Sequence, residues 1–238
     1  MNDRKTTSDE TTETPPAIDW AGHIERTLHV DHDGDSHTEP EDAVFHPSQL
    51  ARCKRQATIS KLGLDHHDTK TLGIFHTGTM IHEWLEESLE GRIPDVHHEH
   101  PVQATYFDDE QESDLVEITG TADVWDAHNK VVYDFKSRGG WYKFDPPSER
   151  HLNQLALYMD ALGAEGGQVV YINKKDLEVR TWPEEGTFAP DPDRVEDLVQ
   201  KAREIRDGIR EATLIPDKDA VPFEACGCWL CNMEEDDG

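Results

Sequence analysis

Asp123, Asp134 and Lys136 are the residues of this chain whose types and spacing best suit chemistry. Asp123 ends the run Gly120, Thr121, Ala122, Asp123, and Asp134 opens the run Asp134, Phe135, Lys136, Ser137. Both runs lie in segments patterned as strands and joined by the turn-like Ala127, His128 and Asn129, so a β-hairpin would bring the two carboxylates within cross-strand reach. Asp134 and Lys136, two residues apart, project from one strand face. Paired carboxylates suit Mg²⁺ or Mn²⁺, and a hard cation so held acidifies water and neutralises charge on a phosphate. Lys136 would orient the attacking water or stabilise the charged phosphorus transition state. The same three residues also fit a solvated strand face with an ion pair. The apolar neighbours Val131, Val132 and Phe135 favour the site, because a partly buried strand carries an idle lysine only at a cost.

Other side chains fall at helical spacing around this trio. His82 lies between Ile81 and Leu85 on the inward side of a predicted helix, with Gly78 four residues before it. A histidine on such a face is ordinarily a satisfied core residue; the downstream carboxylates and lysine turn the reading toward a metal ligand. Glu86, one turn on, would join the site or orient the imidazole. Gln154 and Tyr158, spaced i, i+4, share a face beside the stripe Leu152, Leu155, Met159, Leu162 and are suited to hydrogen-bond a phosphate or the lysine.

Cysteines supply a second kind of chemistry. Cys53 stands alone, whereas Cys226, Cys228 and Cys231 fall within the last thirteen residues. The sequence shows no signal peptide and no long apolar run, which leads us to expect a reducing, cytoplasmic compartment and no membrane segment. Clustered thiolates in such a compartment bind metal or an iron-sulfur cluster far more often than they pair as disulfides.

Composition limits the partners. The chain has 238 residues, 51 acidic against 23 basic, and a formal net charge of -28. Residues 1–40 hold ten acids and three bases, a net of -7, so the remaining -21 belongs to the folded part. Acidity this general opposes nucleic-acid binding at ordinary salt, where charges act over about 10 Å, but much less at molar salt, where the range is about 3 Å. Together with only 11 lysines, it suggests a halophilic proteome. An acidic protein with a basic partner is the alternative. Arg52, Lys54, Arg55, Arg138, Lys143 and Arg150 are candidate DNA contacts, and Trp141 and Tyr142 either stack on unpaired bases or pack in the core.

Positioning these groups calls for an α/β layer sandwich in one domain over residues 41–238, preceded by an acidic, disordered arm over 1–40. The patterning predicts helices at Pro47 to Leu62, Thr77 to Leu89, Ser148 to Leu162 and Arg194 to Glu211. It predicts strands at Leu115 to Asp126, Lys130 to Ser137, Gln168 to Asn173 and Leu177 to Trp182.

Taken together, Gly78 to His82, Gly120 to Asp123, Asp134 to Lys136 and Gln154 to Tyr158 resemble the ordered motifs of the PD-(D/E)XK nuclease superfamily in its RecB-like branch. Cys53 before the core and three cysteines after it resemble the iron-sulfur members, above all the CRISPR-associated RecB-like exonucleases. No phosphate-loop motif suggests an attached helicase. The resemblance covers roughly residues 45–231. It implies a restriction-endonuclease-like core with a central mixed sheet flanked by helices. It further implies Mg²⁺ or Mn²⁺ on His82, Asp123, Asp134 and the Phe135 backbone carbonyl, with Lys136, Gln154 and Tyr158 catalytic. A four-iron, four-sulfur cluster would sit on Cys53, Cys226, Cys228 and Cys231. The activity implied is exonucleolytic cleavage of single-stranded DNA or DNA ends, including prespacers passed to CRISPR integrase proteins. Family members usually have two residues between the first and second terminal cysteines and about five before the third; here the gaps are one and two. That departure keeps structural zinc open at the cysteines. A repair nuclease outside CRISPR, or a catalytically silent assembly subunit that binds nucleic acid, is the alternative function.

Overall fold

The structure, a computed structural model, describes residues 19–34, 43–65, 67–89, 92, 95–108, 111–144, 147–212, 214–228 and 231. In chain order the elements are α1 (Trp20–Gly34), β1 (Val44–Phe45), α2 (Pro47–Leu50), α3 (Lys54–Lys61), α4 (Thr69–Leu89), β2 (Val96–Asp108), β3 (Gln111–Asp126), β4 (Val131–Arg138), α5 (Glu149–Leu162), β5 (Gly166–Asn173), β6 (Val179–Trp182) and α6 (Pro192–Glu211), before a 3-10 turn at Lys218–Ala220. One six-stranded mixed sheet runs β1-β3-β4-β5-β6, with β2 paired to β3 off that path. Helices flank it on both faces, so the predicted restriction-endonuclease-like α/β architecture is present.

Helix α5 begins where Ser148 accepts a hydrogen bond from the His151 N–H, and it ends at Gly163, whose φ of 60° is the left-handed cap glycine tolerates. Helix α6 has Pro192 in its first turn and an Asp191 cap. Its buried residues Val195, Leu198, Val199, Ala202 and Ile205 repeat at helical spacing. They pack with Phe45, Leu50, Ala57, Val116, Ile118 and Leu157 into the core that joins α2, α3, α5 and α6 to the first half of β3. Leu155, Tyr158 and Met159 of α5 meet Val132 and Val169 on one face of the sheet. Ile81, Leu85 and Leu89 of α4 meet Phe135 and Ile172 on the other.

Several elements differ from the sequence reading, each for a physical reason. The helix expected over Pro47 to Leu62 is broken: Cys53 has φ -67° and ψ 164°, extended angles, and serves as the N-cap of α3 rather than lying on a helical face. Strand β2 was not anticipated, because Pro101 and the polar stretch His97 to His100 obscure the alternation. As a sheet edge, β2 tolerates a proline that a central strand would exclude. Helix α4 starts eight residues earlier than expected, at Thr69. Within the expected arm, Trp20–Gly34 forms α1, tied to α4 by His29 Nε2 to Thr69 Oγ1 at 3.3 Å. Residues 1–18 and 35–40 of that arm lie outside the described residues.

The β3-β4 pairing matters most for function. It runs Asp126↔Val131, Trp125↔Val132 and Val124↔Tyr133, and then stops. The next pair in register would be Asp123 and Asp134, so the carboxylates sit where the two strands begin to part. Beyond that point β4 stays paired with β5 along its whole length, Val131↔Gly166 to Arg138↔Asn173. The inward alternation of β3 also changes phase here: Ala122 packs with the α5 side and Val124 with the α4 side.

Candidate active site and metal centre

In the fork between β3 and β4 the Asp123 carboxylate replaces a missing strand partner, its Oδ2 accepting from the Phe135 N–H at 2.6 Å. Its other oxygen lies 3.6 Å from His82 Nδ1 on α4. Helix α4 can come this close because residue 78 is glycine; a Cβ there would stand 3.0 Å from Ser137 Oγ and 3.5 Å from Lys174 Nζ. Asp134 is 0% exposed, with Oδ1 bonded to Lys136 Nζ at 2.7 Å. Its Oδ2 is buried and has no hydrogen-bond partner. Burial, aided by the nearby Asp123 charge and opposed by Lys136, pushes the Asp134 carboxyl up to about 6.

An orphaned buried carboxylate oxygen beside a second carboxylate is what a hard cation would satisfy. One ligand atom each from His82, Glu86 and Asp123 also lies within 4.8 Å of the others. Glu86 is buried, and burial, with Glu99 and Asp123 adding, raises its carboxyl above the ordinary range. Asp134 is outside that close trio, although the charges of Asp123 and His82 act on it. The trio's donors, with the orphaned Asp134 oxygen nearby, fit Mg²⁺ or Mn²⁺.

Gln154 and Tyr158 do share a face of α5, and Gln154 Nε2 donates to the Tyr158 hydroxyl at 3.0 Å. Burial, and then the Asp134 charge, pushes that hydroxyl well above its usual value, so it stays protonated. His151 escaped the sequence reading. Its signal was the i, i+3, i+7 spacing of His151, Gln154 and Tyr158, which marks one helix face. His151 Nδ1 pairs with the Tyr171 hydroxyl at 2.9 Å. Burial, followed by the charges of Lys136, Arg150 and Arg138, drives its pKa down to about 3, so the ring is neutral.

The four cysteines meet although 172 residues of sequence lie between the first two. Cys53, Cys226, Cys228 and Cys231 bring their sulfurs within 4.8 Å of one another. The first stands at the N-cap of α3; the other three follow the 3-10 turn, where Gly227 takes a φ of 71°. Arg55 fastens the returning segment by donating to the Lys218 carbonyl at 2.8 Å and the Phe223 carbonyl at 3.1 Å.

A family model described as the PD-(D/E)XK nuclease superfamily matches residues 93–235. The chain belongs to that superfamily. Among solved structures it is similar to the crystal structure of SSO0001, at 20% sequence identity and a TM-score of 0.57, over 78% of this chain and 84% of that one. At that identity the likeness shows a shared fold. No curated protein matches the chain. Membership in the PD-(D/E)XK superfamily implies phosphodiester cleavage of the nuclease type. The matched stretch contains Asp123, Asp134, Lys136 and the terminal cysteines; His82, Glu86 and Cys53 precede it.

The cations expected at DNA divide into two groups in this PD-(D/E)XK chain. Near the cysteines, Arg52 pairs with Asp65 at 3.4 Å and Lys54 with Glu204 of α6, while Arg55, through the carbonyls above, holds the C-terminal segment. The charge of Arg150 also acts on Cys228 and Cys53. Arg138 instead continues the Asp134–Lys136 face of β4 and stacks 4.0 Å from the Phe144 ring centroid. Trp141 lies under Arg180 at 4.3 Å, and its N–H donates to Glu178 at 2.6 Å, which ties it into the fold. Tyr142 is 85% exposed, with Lys143 Nζ 5.5 Å from its ring centroid. No helix among the described residues is long and apolar enough to cross a membrane.

Proposed function

We propose that this chain is a Mg²⁺- or Mn²⁺-dependent deoxyribonuclease that trims single-stranded DNA from free ends, with prespacers destined for CRISPR integrase proteins among its substrates. The observation that carries this reading is the buried, unpartnered Asp134 Oδ2 next to Lys136, in a strand fork that also presents Asp123, His82 and Glu86. Side chains of His82, Asp123 and Asp134, with Glu86 and the Phe135 carbonyl, would hold the cation. When bound, the cation supplies Lewis-acid neutralisation of phosphate charge and a more acidic water.

The protein's own groups do the rest. Asp134 anchors Lys136, so the ammonium is held beside the strand fork, where charge would develop on the phosphorus oxygens. The neutral His151 adds no positive charge beside Lys136, and the Gln154–Tyr158 pair offers a protonated hydroxyl to a phosphate oxygen. Tyr142 and Lys143 present an exposed ring with a cation beside it. Such a ring stacks on any unpaired base, worth about 1–3 kcal/mol per base, which supports a single-stranded substrate read without sequence preference. At a net charge of -28, DNA approaches only where salt is concentrated, in keeping with a halophilic host and a cytoplasmic location.

The test is cleavage of end-labelled single-stranded and duplex DNA, linear and circular, with Mn²⁺ in molar KCl. A chelator-sensitive ladder on linear single strands, with circles left intact, is the expected result. Binding without cleavage would instead support the silent assembly subunit.

Asp134 also sets a pH dependence. Burial pushes its carboxyl up to about 6, so below that pH the cation must displace a bound proton. Affinity for Mn²⁺ should therefore fall about tenfold per pH unit below that point and level off above it. Calorimetric titration in two buffers of different ionisation enthalpy would show the released proton, and Asp134→Asn should reduce that release.

A further inference from the structure

The resemblance to iron-sulfur nucleases implies a four-iron cluster on the cysteines, but their spacing does not fit one. In a cubane each cysteine binds a separate iron and points away from the other three, so the ligand sulfurs stand outside the metal tetrahedron and far apart. Here all four sulfurs lie within 4.8 Å of one another. Cys53 Sγ is 3.7 Å from Cys231 Sγ and 3.8 Å from Cys228 Sγ. A single tetrahedral ion with metal–sulfur bonds of about 2.3 Å sets its ligands about 3.8 Å apart.

From this geometry we infer that Cys53, Cys226, Cys228 and Cys231 form a closed, mononuclear tetrathiolate zinc site that pins the C-terminal segment to the start of α3. The sequence agrees. One residue between Cys226 and Cys228 and two between Cys228 and Cys231 keep the three sulfurs of one short loop around a common centre, and Gly227 supplies the left-handed turn this requires. The fourth ligand arrives on a rigid element, the N-cap of α3.

The surroundings supply what a dianionic tetrathiolate centre needs. Gln56 directs its side-chain amide at Cys231 Sγ, 3.9 Å away. Lys201 is tethered by the Arg52 carbonyl at 2.8 Å, and its positive charge, like that of Arg150, acts on Cys53. These groups partly offset the net charge of four thiolates and one divalent ion.

This inference rests on sulfur geometry and is independent of whether the strand fork cuts DNA. The experiment uses the full chain, purified without oxygen from cells supplied with both iron and zinc. Metal analysis should give one zinc per chain with no acid-labile sulfide, and the protein should be colourless. Expression with Co²⁺ should give the visible bands of a tetrahedral tetrathiolate, and Cys228→Ser should diminish them. The zinc-depleted chain, offered ferrous iron and sulfide, should not assemble a stoichiometric cluster. A brown protein with about four irons and labile sulfide, before or after that treatment, overturns the assignment, as does a single bound iron or a chain with no metal at the cysteines.

Discussion

Asp134→Ala is expected to abolish Mn²⁺-dependent cleavage, and Lys136→Ala to lower its rate about 10²- to 10³-fold, while both variants keep the metal on their cysteines. The two effects have different origins. Asp134 is wholly buried, with one oxygen on Lys136 and the other without a partner, so its removal would take away the proposed cation ligand and release the lysine together. Lys136→Ala leaves the carboxylates in place and removes only the positive charge facing the phosphate. That variant should bind Mn²⁺ at least as well as the parent chain, because a like-charged neighbour of the cation is gone, yet it should turn over slowly. Single-turnover cleavage rates and calorimetric Mn²⁺ affinities, measured on the same preparations, check both expectations. Parental rates in both variants would sink the assignment of the site.

Cys231→Ser should cause the largest loss of stability. Cys231 is 1% exposed and brings the chain's C-terminal segment against α3. Structural zinc contributes about 10–16 kcal/mol in small peptides that are unfolded without it. This chain has its own core, so the expected loss is smaller, about 3–5 kcal/mol, or about 10 °C in Tm for a domain this long. The loss should be local at first. Phe223 packs at the edge of the core shared by α6 and β3, and Arg55 holds the Phe223 carbonyl, so the loop from about residue 214 onward should lose hydrogen-exchange protection before the sheet does. Exchange mass spectrometry on the parent and the variant would check the order, and thermal melts the magnitude.

These two centres differ in how much of them the sequence reveals. Asp134 and Lys136 were legible because a strand's two-residue period puts them on one face whatever surrounds it. Gln154 and Tyr158 were legible for the matching reason on a helix, and their direct hydrogen bond agrees with it. Helix α6 followed from its apolar period alone. Glu86 was visible only as a neighbour of His82 one turn away; its burial beside Asp123 depends on how α4 crosses the sheet. Strand β2 stayed hidden because an edge strand can carry proline and histidines without disturbing the ladder that central strands must keep. The break at Cys53 was hidden too, since residues 47–62 have the composition of one continuous helix.

By itself, then, the sequence determined which residues share a face, that two carboxylates and a lysine fall on strands able to meet, and that four thiols frame them. These follow from local periodicity and residue chemistry, which act over a few positions. Tertiary structure alone decided three further matters: that β3 and β4 part at Asp123 and Asp134, that Asp134 keeps an oxygen buried and unpaired, and that the four sulfurs close to the spacing of one ion. Each depends on where segments far apart in the chain come to rest, and that is set by packing of the whole core rather than by any short run of residues.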